Sequence, residues 1–477
     1  MMSFNPELQR NVWLQMSWSR LVVAPLLIGI LMASVIATVE PPAAVMAEAA
    51  RWFFVIFMGF WSTRRVADSL AEEIGGGTWE GQRMSGLSAW SMMWGKLFGG
   101  AIFPWYCGLI CLGVMVWYGL KAPPADLRLP VWHQVATLLV GAILAQATSL
   151  TVALVLLRKV QFRRRLTVTM AQIAGLLVFA LALMWDYNVQ PAAADGGQIT
   201  WYDRTFDGWI FYIVSLAVFA LWALLAVLRL MSLELLYATR PWAWALFVLF
   251  VMGYAAGFHV ADVISMQVLS WRLFVAYLMA GSLTYVGFFA EAKDPVRYRW
   301  GLARFGAMQW WRALEFMPWW LISYILAVIA GAAAIWSVAL GGQLAAEQTL
   351  TLELERYASW AALGPITYRI AAALLFLLRD MLFLLWLNFS RTRNRADLSG
   401  LVILVILYVP LPMLLTAAGL VQFLPAVAPI AVSSILAIAW PALEALVMAI
   451  LLYLRWRKAA RIEIVDDHDE PTMTRPS

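Results

Sequence analysis

The chain has 477 residues, of which 63% are hydrophobic and 13% are charged, and its formal net charge is +6. Soluble proteins carry about 25% charged residues, so this composition excludes a soluble domain with a single core. The sequence is therefore that of an integral membrane protein. The positive balance is explained by membrane topology, and it indicates no nucleic-acid partner, for which a soluble basic face would be expected.

An amphipathic helix is predicted at the N-terminus, because Asn5 followed by Pro6 is typical of a helix start. Helical spacing divides its residues into an apolar side and a polar side: Leu8, Val12, Trp13 and Met16 against Glu7, Arg10, Asn11 and Gln15. Gln9 and Leu14 interrupt the pattern. We expect this helix to lie along the membrane surface, the alternative being a solvated arm.

Twelve apolar runs approach the ~20 residues that a helix needs to cross the hydrocarbon core. Their approximate ranges are 21–39, 45–66, 97–119, 133–157, 166–186, 207–229, 242–260, 266–289, 316–340, 362–384, 398–420 and 430–454. The tenth is the least well defined. Short connecting loops favour helices over a barrel. The predicted fold class is an all-α polytopic membrane protein with about twelve transmembrane helices.

The orientation follows from the distribution of Lys and Arg, which accumulate on the cytoplasmic side of membrane proteins. With the N-terminus inside, the inner segments hold 26 of these residues and the outer segments hold 7. Both termini are therefore predicted to be cytoplasmic. The outer loops show no pattern of a folded external domain, and the acidic C-terminal tail reads as a solvated, disordered end.

An internal repeat is indicated by identical residues at an offset of about 220. The pairs are Arg20 and Arg240, Gly81 and Gly301, Gly86 and Gly306, Trp90 and Trp310, Arg51 and Arg272, and the leucine-rich runs that end at Arg158 and Arg379. We therefore predict two six-span modules, residues 1–230 and 231–462, followed by a cytoplasmic tail, residues 463–477. Internal repeats of this kind usually place a shared pathway between the modules.

The loop between the second and third runs carries the most specific signal. Glu72 and Glu73 end the second helix, three glycines at 75–77 break it, and Thr78 is the expected N-cap of a short helix. A second turn at Ser85-Gly86 leads to an interfacial Trp90, and Lys96 is expected at the cytoplasmic mouth of the third span. The prediction is a rigid elbow facing the cytoplasm; an ordinary link between two spans is the alternative.

This stretch resembles the membrane subunits of type-2 (ABC-2) ABC exporters. The matching elements are an acidic residue, Gly-Thr, a helical stretch with a Ser-containing turn, and Gly-Lys at the third span: Glu72 and Glu73, Gly77-Thr78, Glu80, Leu87-Ser88 and Gly95-Lys96. The extra glycines before Thr78 and the aromatic Trp79 depart from that pattern. The specific resemblance covers residues 4–100, and the N-terminal helix is similar to that family's interfacial helix.

The resemblance implies a permease in a bacterial inner membrane, driven by a separate cytoplasmic ABC ATPase subunit in two copies. The only Gly-Lys near a phosphate-binding form, at 95–96, lacks the earlier glycine and the following Ser or Thr. ATP and Mg²⁺ would therefore bind to that partner, and this chain would bind no cofactor. The implied ATPase contacts are Glu72, Glu73, Thr78, Glu80, Arg83, Trp90 and Lys96 in the first module and Glu291, Asp294, Arg297 and Trp310 in the diverged second module.

Charged residues within the apolar runs are candidates for the translocation pathway. Arg379 and Asp380 match Arg158-Lys159 in the proposed repeat, which favours a position at the cytoplasmic end of a span. If that match is set aside, the alternative is a pair of charges inside the membrane. Because adjacent helical residues point about 100° apart, we expect no direct pairing between them. Glu444, deep in the last run, is the better candidate, with a helix-to-helix contact as the equal alternative.

The sequence leaves three functions open. The first is an exporter permease for an amphipathic, peptide or lipid-like cargo. The second is a secondary transporter, which would need broken helices and buried carboxylates in matching spans. The third is a lipid-modifying membrane enzyme, which would need clustered acidic or histidine residues at a membrane interface. The nearest approach to such a cluster is the set of outer acidic residues Asp186, Asp195, Asp203 and Asp207. The three histidines lack ligand-spaced neighbours and the two cysteines suit a buried apolar turn, so no metal site is expected.

The topology is tested by reporter fusions. A fluorescent protein fused after Ser477 should fluoresce, and alkaline phosphatase inserted at Gly197 should be active, because the first reporter matures in the cytoplasm and the second only outside it. The reverse pattern would contradict the orientation.

Overall fold

The computed structural model describes residues 5–38, 43–123, 130–157, 164–194, 197–237, 241–258, 265–340, 365–390, 396–428 and 435–466. Within these ranges, eleven helices are long and apolar enough to cross a membrane. The expectation of an all-α polytopic membrane protein is thereby confirmed. The apolar run expected at 242–260 forms the helix Trp242–Ala256, which at 15 residues is shorter than the ~20 that cross hydrocarbon.

The chain divides into two compact units, residues 1–239 and 240–477, which we call unit 1 and unit 2. The module boundary expected at 230 falls inside a helix that continues to Glu234. The tail expected from 463 overlaps a helix that continues to Asp466, and residues 467–477 lie outside the described residues.

Unit 1 begins with a short helix and continues with long ones. Its helices are α1 (Pro6–Gln15), α2 (Trp18–Thr38), α3 (Ala43–Val55), α4 (Thr63–Gly75), α5 (Thr78–Met84), α6 (Ala89–Trp94), α7 (Ile102–Gly119), α8 (Val131–Leu157), α9 (Arg164–Ala194) and α10 (Gly208–Glu234). Helix α8 packs against α9 and α10, and α3 packs against α7. Large apolar side chains such as Phe54, Phe179 and Leu138 fill the interior.

One wide turn interrupts the long helix formed by α3 and α4. Residues Ile56–Ser62 are π-helical, a geometry that displaces carbonyl groups from their usual partners. Neighbouring side chains bind these carbonyls: Thr63 Oγ1 donates to the Gly59 carbonyl, and Gln172 Nε2 donates to that of Phe60 at 3.0 Å. Polar residues inside an apolar unit thus satisfy a backbone irregularity, as buried backbone groups require.

A β-hairpin connects α9 and α10. Its strands, β1 (Gln198–Trp201) and β2 (Arg204–Asp207), pair antiparallel around Tyr202 and Asp203, both of which have positive φ. Two consecutive residues of this conformation are typical of tight hairpin turns. The sequence analysis expected no folded domain here and missed this small element, since neither turn residue is the usual Gly or Asn.

Unit 2 has a similar order of elements. Its helices are α11 (Trp242–Ala256), α12 (Ser265–Ala290), α13 (Pro295–Gly306), α14 (Trp310–Ala313), α15 (Trp319–Ala339), α16 (Ile366–Asn388), α17 (Ala396–Tyr408), α18 (Pro410–Ala417) and α19 (Ala439–Asp466). Helix α12 packs against α15, and α16 packs against α17 and α19. In both units a long helix, two short helices and another long helix follow one another.

Arg379 and Asp380 lie in a helix of unit 2 that is described on both sides of them. Helix α8 is described as far as Leu157, directly before Arg158, which lies outside the described residues. Helix α16 continues for nine residues beyond Arg379, to Asn388, so Arg379 and Asp380 lie within this helix. That they lie at the cytoplasmic end of a membrane span stays a prediction. Apolar segments match one another by composition, so leucine identities carry little positional information.

A close helix crossing in unit 1 depends on Gly175 in α9. A Cβ atom at this position would lie 2.7 Å from the backbone carbonyl oxygen of Ala145 in α8. A backbone atom cannot move aside as a flexible side chain can, so the two helices would separate.

We expect Gly175→Ala to destabilise unit 1 by about 1–3 kcal/mol, the usual range for overpacking. The matched control is Gly113→Ala in α7, where nothing lies within 4 Å of the new Cβ. Thermal unfolding of the purified protein should show a lower apparent melting temperature for Gly175→Ala than for the wild type. The melting temperature of Gly113→Ala should not fall. Equal melting temperatures would contradict the close crossing.

Candidate functional site

Helix α1 turns its polar side inward. Glu7, Asn11 and Gln15 are buried, whereas Trp13 and Leu14 are largely exposed. The polar side faces residues Gly95–Gly99, a π-helical segment that joins α6 to the start of α7. Gln15 Nε2 donates to the carbonyl of Gly99 at 3.1 Å. The apolar side is left outward, as suits a helix at a membrane surface.

Two glycines make this contact close enough. A Cβ atom at Gly95 would lie 2.6 Å from the Cβ of Glu7, and one at Gly99 would lie 2.9 Å from the Cβ of Asn11. Both pairs are four residues apart, so one turn of each helix faces one turn of the other. The Gly-x-x-x-Gly spacing was a signal that sequence reasoning could have used, because it marks close helix packing in membranes.

A buried ion cluster holds α1 against the elbow. Lys96 Nζ lies 2.6 Å from Glu7 Oε1 and also contacts Glu73 Oε2. Arg10 Nη2 lies 2.8 Å from Glu7 Oε1 and also contacts Glu73 Oε1. Two carboxylates and two cations therefore neutralise one another. We call Glu7, Arg10, Glu73 and Lys96 the α1 ion cluster.

Lys96 lies just before α7, where it is buried. Its side chain is 1% exposed, within the π-helical segment, and it does not extend to an aqueous mouth. The sequence alone does not identify its carboxylate partner Glu7, because Glu7 is 89 residues away. Lys96 and Glu73 are both implied ATPase contacts, and both are occupied by contacts within unit 1.

The elbow itself is helix α5 and the turns that bound it. Gly77, with φ +72°, precedes the helix, and Gly86, with φ +69°, follows it. Gly75 is still helical and Gly76 has an ordinary φ, so one glycine, and not three, makes the break. Thr78 is the first helical residue and not the N-cap; its hydroxyl donates to the Glu73 carbonyl at 3.2 Å.

The elbow presents a mixed surface. Glu80 is 63% exposed and pairs with Arg83 at 3.1 Å. Arg83 Nε also donates to the carbonyl of Glu234 at the end of α10, at 2.8 Å. Glu72 lies half-exposed beside Arg164, at 2.9 Å. These residues are accessible, so they remain suitable for a partner contact.

Ser88 is the N-cap of helix α6, and its Oγ accepts a hydrogen bond from the backbone N–H of Ser91. Trp90 is 57% exposed on this helix. Its ring starts a chain of aromatic contacts with centroid separations of 5.3 to 5.5 Å through Trp94 and Phe98 to Trp105. The exposed end of α6 is thus continuous with the packed interior of α7.

The corresponding elbow of unit 2 is built differently. Asp294 caps α13, accepting a hydrogen bond from the backbone N–H of Val296. Glu291 is buried, pairs with Arg297 at 2.9 Å and accepts a hydrogen bond from the backbone N–H of Trp319 at 2.8 Å. Burial raises the pKa of the Glu291 carboxyl above its ordinary value, and its cationic and N–H partners oppose that rise.

The surface of this second elbow is aromatic. No residue of α13 is buried, and Trp310 at the start of α14 is half-exposed. Lys293 pairs with Asp397 of α17 at 2.9 Å. Of the implied contacts in unit 2, Asp294 and Trp310 are accessible, and Glu291 is held inside.

Arg379 and Asp380 pair with each other, contrary to expectation. Arg379 Nε and Nη2 lie 2.9 and 2.7 Å from Asp380 Oδ1. The angle between adjacent helical residues is bridged because the long arginine side chain curves back to the short aspartate. Both side chains are buried in the middle of α16.

Three further helices contribute to this pair. Tyr285 of α12 and Tyr408 of α17 each donate a hydrogen bond to Asp380 Oδ2 at 2.6 Å. Arg379 Nη1 lies 2.6 Å from Glu444 Oε2 of α19. We call these five residues the unit 2 charge network. Sequence reasoning singled out the three charged members and missed both tyrosines, which apolar runs contain without any special spacing.

Within the described residues, no group of three His, Cys, Asp or Glu side chains is arranged to hold a metal ion. Cys107 and Cys111 are buried as free thiols. Of the outer acidic residues, Asp207 caps α10 and Asp203 lies in the hairpin turn. The side chain of Asp186 and all of Asp195 lie outside the described part.

No protein-family model, curated protein or solved structure shows a significant match to this chain.

The α1 ion cluster can be tested by removing its central cation. We expect Lys96→Met to destabilise unit 1 by about 3–5 kcal/mol, because it leaves buried carboxylates with too few cations. Lys96→Met combined with Glu73→Gln should recover much of the loss, since Glu7 and Arg10 still pair.

The measurement is the apparent melting temperature in detergent, with Lys121→Met as the control at an exposed lysine. A single variant as stable as the control, or a double variant less stable than the single one, would show that the cluster does not hold the elbow.

Proposed function

We propose that this chain is the membrane-spanning permease subunit of an ATP-driven ABC exporter. It forms the translocation pathway for an amphipathic, peptide or lipid-like cargo, in a bacterial inner membrane with both termini in the cytoplasm. ATP and Mg²⁺ bind to a separate cytoplasmic ABC ATPase subunit, present in two copies. The chain binds no cofactor and is not itself an enzyme.

The observation that carries the proposal is the rooted elbow of unit 1. An ATPase subunit that moves a permease needs an exposed segment that is firmly attached to transmembrane helices. Helix α5 is both exposed and firmly attached. Gly77 and Gly86, both with positive φ, separate it from the neighbouring helices. Glu80 is exposed on α5, and Trp90 is exposed on α6. The same stretch, from Glu72 to Lys96, carries the resemblance to the exporter permeases.

The stiffness comes from the α1 ion cluster. Glu73 lies at the end of α4, Lys96 between α6 and α7, and Glu7 and Arg10 on α1. A force on α5 is therefore transmitted to three helices through short charged contacts. In this proposal Glu73 and Lys96 position the elbow, while Glu72, Glu80, Arg83 and Trp90 face the ATPase.

The second elbow supports an unequal contact. It presents Asp294 and Trp310 on an exposed, aromatic surface, and it lacks a Gly-Thr break and a counterpart of Lys96. The two ATPase copies would accordingly dock on chemically different surfaces. Glu444, Arg379 and Asp380 remain the candidates for residues along the pathway.

The test is co-purification with a candidate ABC ATPase subunit. We expect a stable complex in detergent that Glu80→Lys and Trp90→Ala each weaken by about tenfold or more, because a truncated or reversed central contact removes over 1 kcal/mol of binding free energy. Trp310→Ala should weaken the second contact. The control is Trp117→Ala, an exposed tryptophan at the far end of α7.

Two results would overturn the proposal: a protein that binds no ATPase, or a complex that retains full affinity in all three elbow variants. Weakening by Trp117→Ala as well would show that the loss is not specific to the elbows.

A further inference from the structure

The unit 2 charge network contains one more negative charge than it has cations. Its ionisable members at neutral pH are the guanidinium of Arg379 and the carboxylates of Asp380 and Glu444. Within the described residues, Arg379 is the only basic partner of Glu444. Carboxylates within apolar helices are costly unless they are paired, so the surplus charge requires an explanation.

Asp380 already neutralises Arg379. Its Oδ1 accepts two N–H groups of the guanidinium, and its Oδ2 accepts the hydroxyl groups of Tyr285 and Tyr408. Four hydrogen bonds satisfy this carboxylate, and its side chain is 1% exposed. The Arg379 and Asp380 pair is therefore a fixed, neutral unit.

Glu444 is the accessible member of the network. Its carboxylate makes one hydrogen bond, through Oε2 to Arg379, and its side chain is 32% exposed. It lies on the apolar stretch Ala439–Arg457. The segments packed on α19 besides α16, Val421–Ala426 and Leu436–Ile438, contain no titratable side chain. Among the described residues of the network, the titratable groups near it are Tyr285, Tyr408, Arg379 and Asp380.

We propose that Glu444 takes up one monovalent positive charge, either a proton or a small cation such as ammonium or an alkali-metal ion. Uptake makes the network neutral and weakens the contact between Glu444 and Arg379, which joins α19 to α16. The fixed pair with Asp380 keeps Arg379 in place meanwhile. The inference depends only on contacts within unit 2 and holds whether or not an ATPase partner exists.

The first experiment uses dicyclohexylcarbodiimide, a hydrophobic reagent that adds to a neutral carboxylic acid. The acid proton passes to a carbodiimide nitrogen, the carboxyl oxygen bonds to the central carbon, and the adduct rearranges to a stable N-acylurea. The whole reagent is added, with no leaving group and no change of oxidation state. Peptide mass spectrometry of the full-length protein then locates the adduct.

The expected result is labelling at Glu444 and none at Asp380. If the ligand is a proton, labelling falls about tenfold for each pH unit above the midpoint, as for any single site. If the ligand is ammonium, sodium or potassium, that ion also suppresses labelling at fixed pH and ionic strength, with choline chloride as the balancing salt. Glu444→Gln should abolish the signal.

Arg379→Met shows whether the reagent reaches this position, because it removes the guanidinium that pairs with Glu444. If the wild type resists labelling at every pH with choline as the only added cation, while Arg379→Met is labelled at Glu444, the site accepts no exchangeable positive charge and the proposal is wrong.

A second measurement requires no reagent. The apparent melting temperature of the wild type should shift with pH or with the bound cation, whereas Glu444→Gln, which resembles the neutral form, should lose that part of the shift. Parallel profiles for the two proteins would overturn the proposal, even if neither protein is labelled.

Discussion

A lysine ammonium buried away from water needs carboxylate partners, and Lys96 finds two, Glu7 and Glu73, on segments that are distant in sequence. This requirement explains much of unit 1 near the elbow. Helix α1 must turn its polar side inward to deliver Glu7, Gly95 and Gly99 must lack side chains to admit it, and Arg10 must accompany it to balance the charge. These conditions together attach the exposed α5 firmly to its neighbouring helices.

The same rule governs polar groups elsewhere in both units. In unit 1, Gln172 and Thr63 bind carbonyls that the π-helical turn displaces from their usual partners. In unit 2, two tyrosines bind Asp380 beside its guanidinium. An apolar surrounding offers no water to replace a missing partner, so each irregularity is accompanied by its own donors.

The two units therefore combine different properties. Unit 1 has a neutral, closed ion cluster that is suited to transmit force without exchanging charge. Unit 2 has a network with a surplus carboxylate at its accessible edge, which is suited to exchange a small cation. If both proposals hold, the mechanical element lies in unit 1 and the charge-sensitive element lies in unit 2.

The class of protein, the positions of the long helices and the location of the elbow could be predicted from the sequence, because apolar length and glycine breaks act locally. The candidate site was located only in part. Thr78 was wrongly expected as an N-cap because Gly77 takes that place, a difference of one residue that local preference does not resolve.

The sequence by itself thus determined which segments form long apolar helices and where the elbow interrupts them. Which partners the segments meet was decided by the tertiary structure: the inward polar side of α1, the burial of Lys96, and the joining of Arg379, Asp380 and Glu444 with two tyrosines. The physical reason is that these contacts join residues separated by 23 to 95 positions in the sequence. The adjacent Arg379 and Asp380 are the exception. A polar residue in an apolar sequence shows that it needs a partner, and only the packing of the helices shows which one.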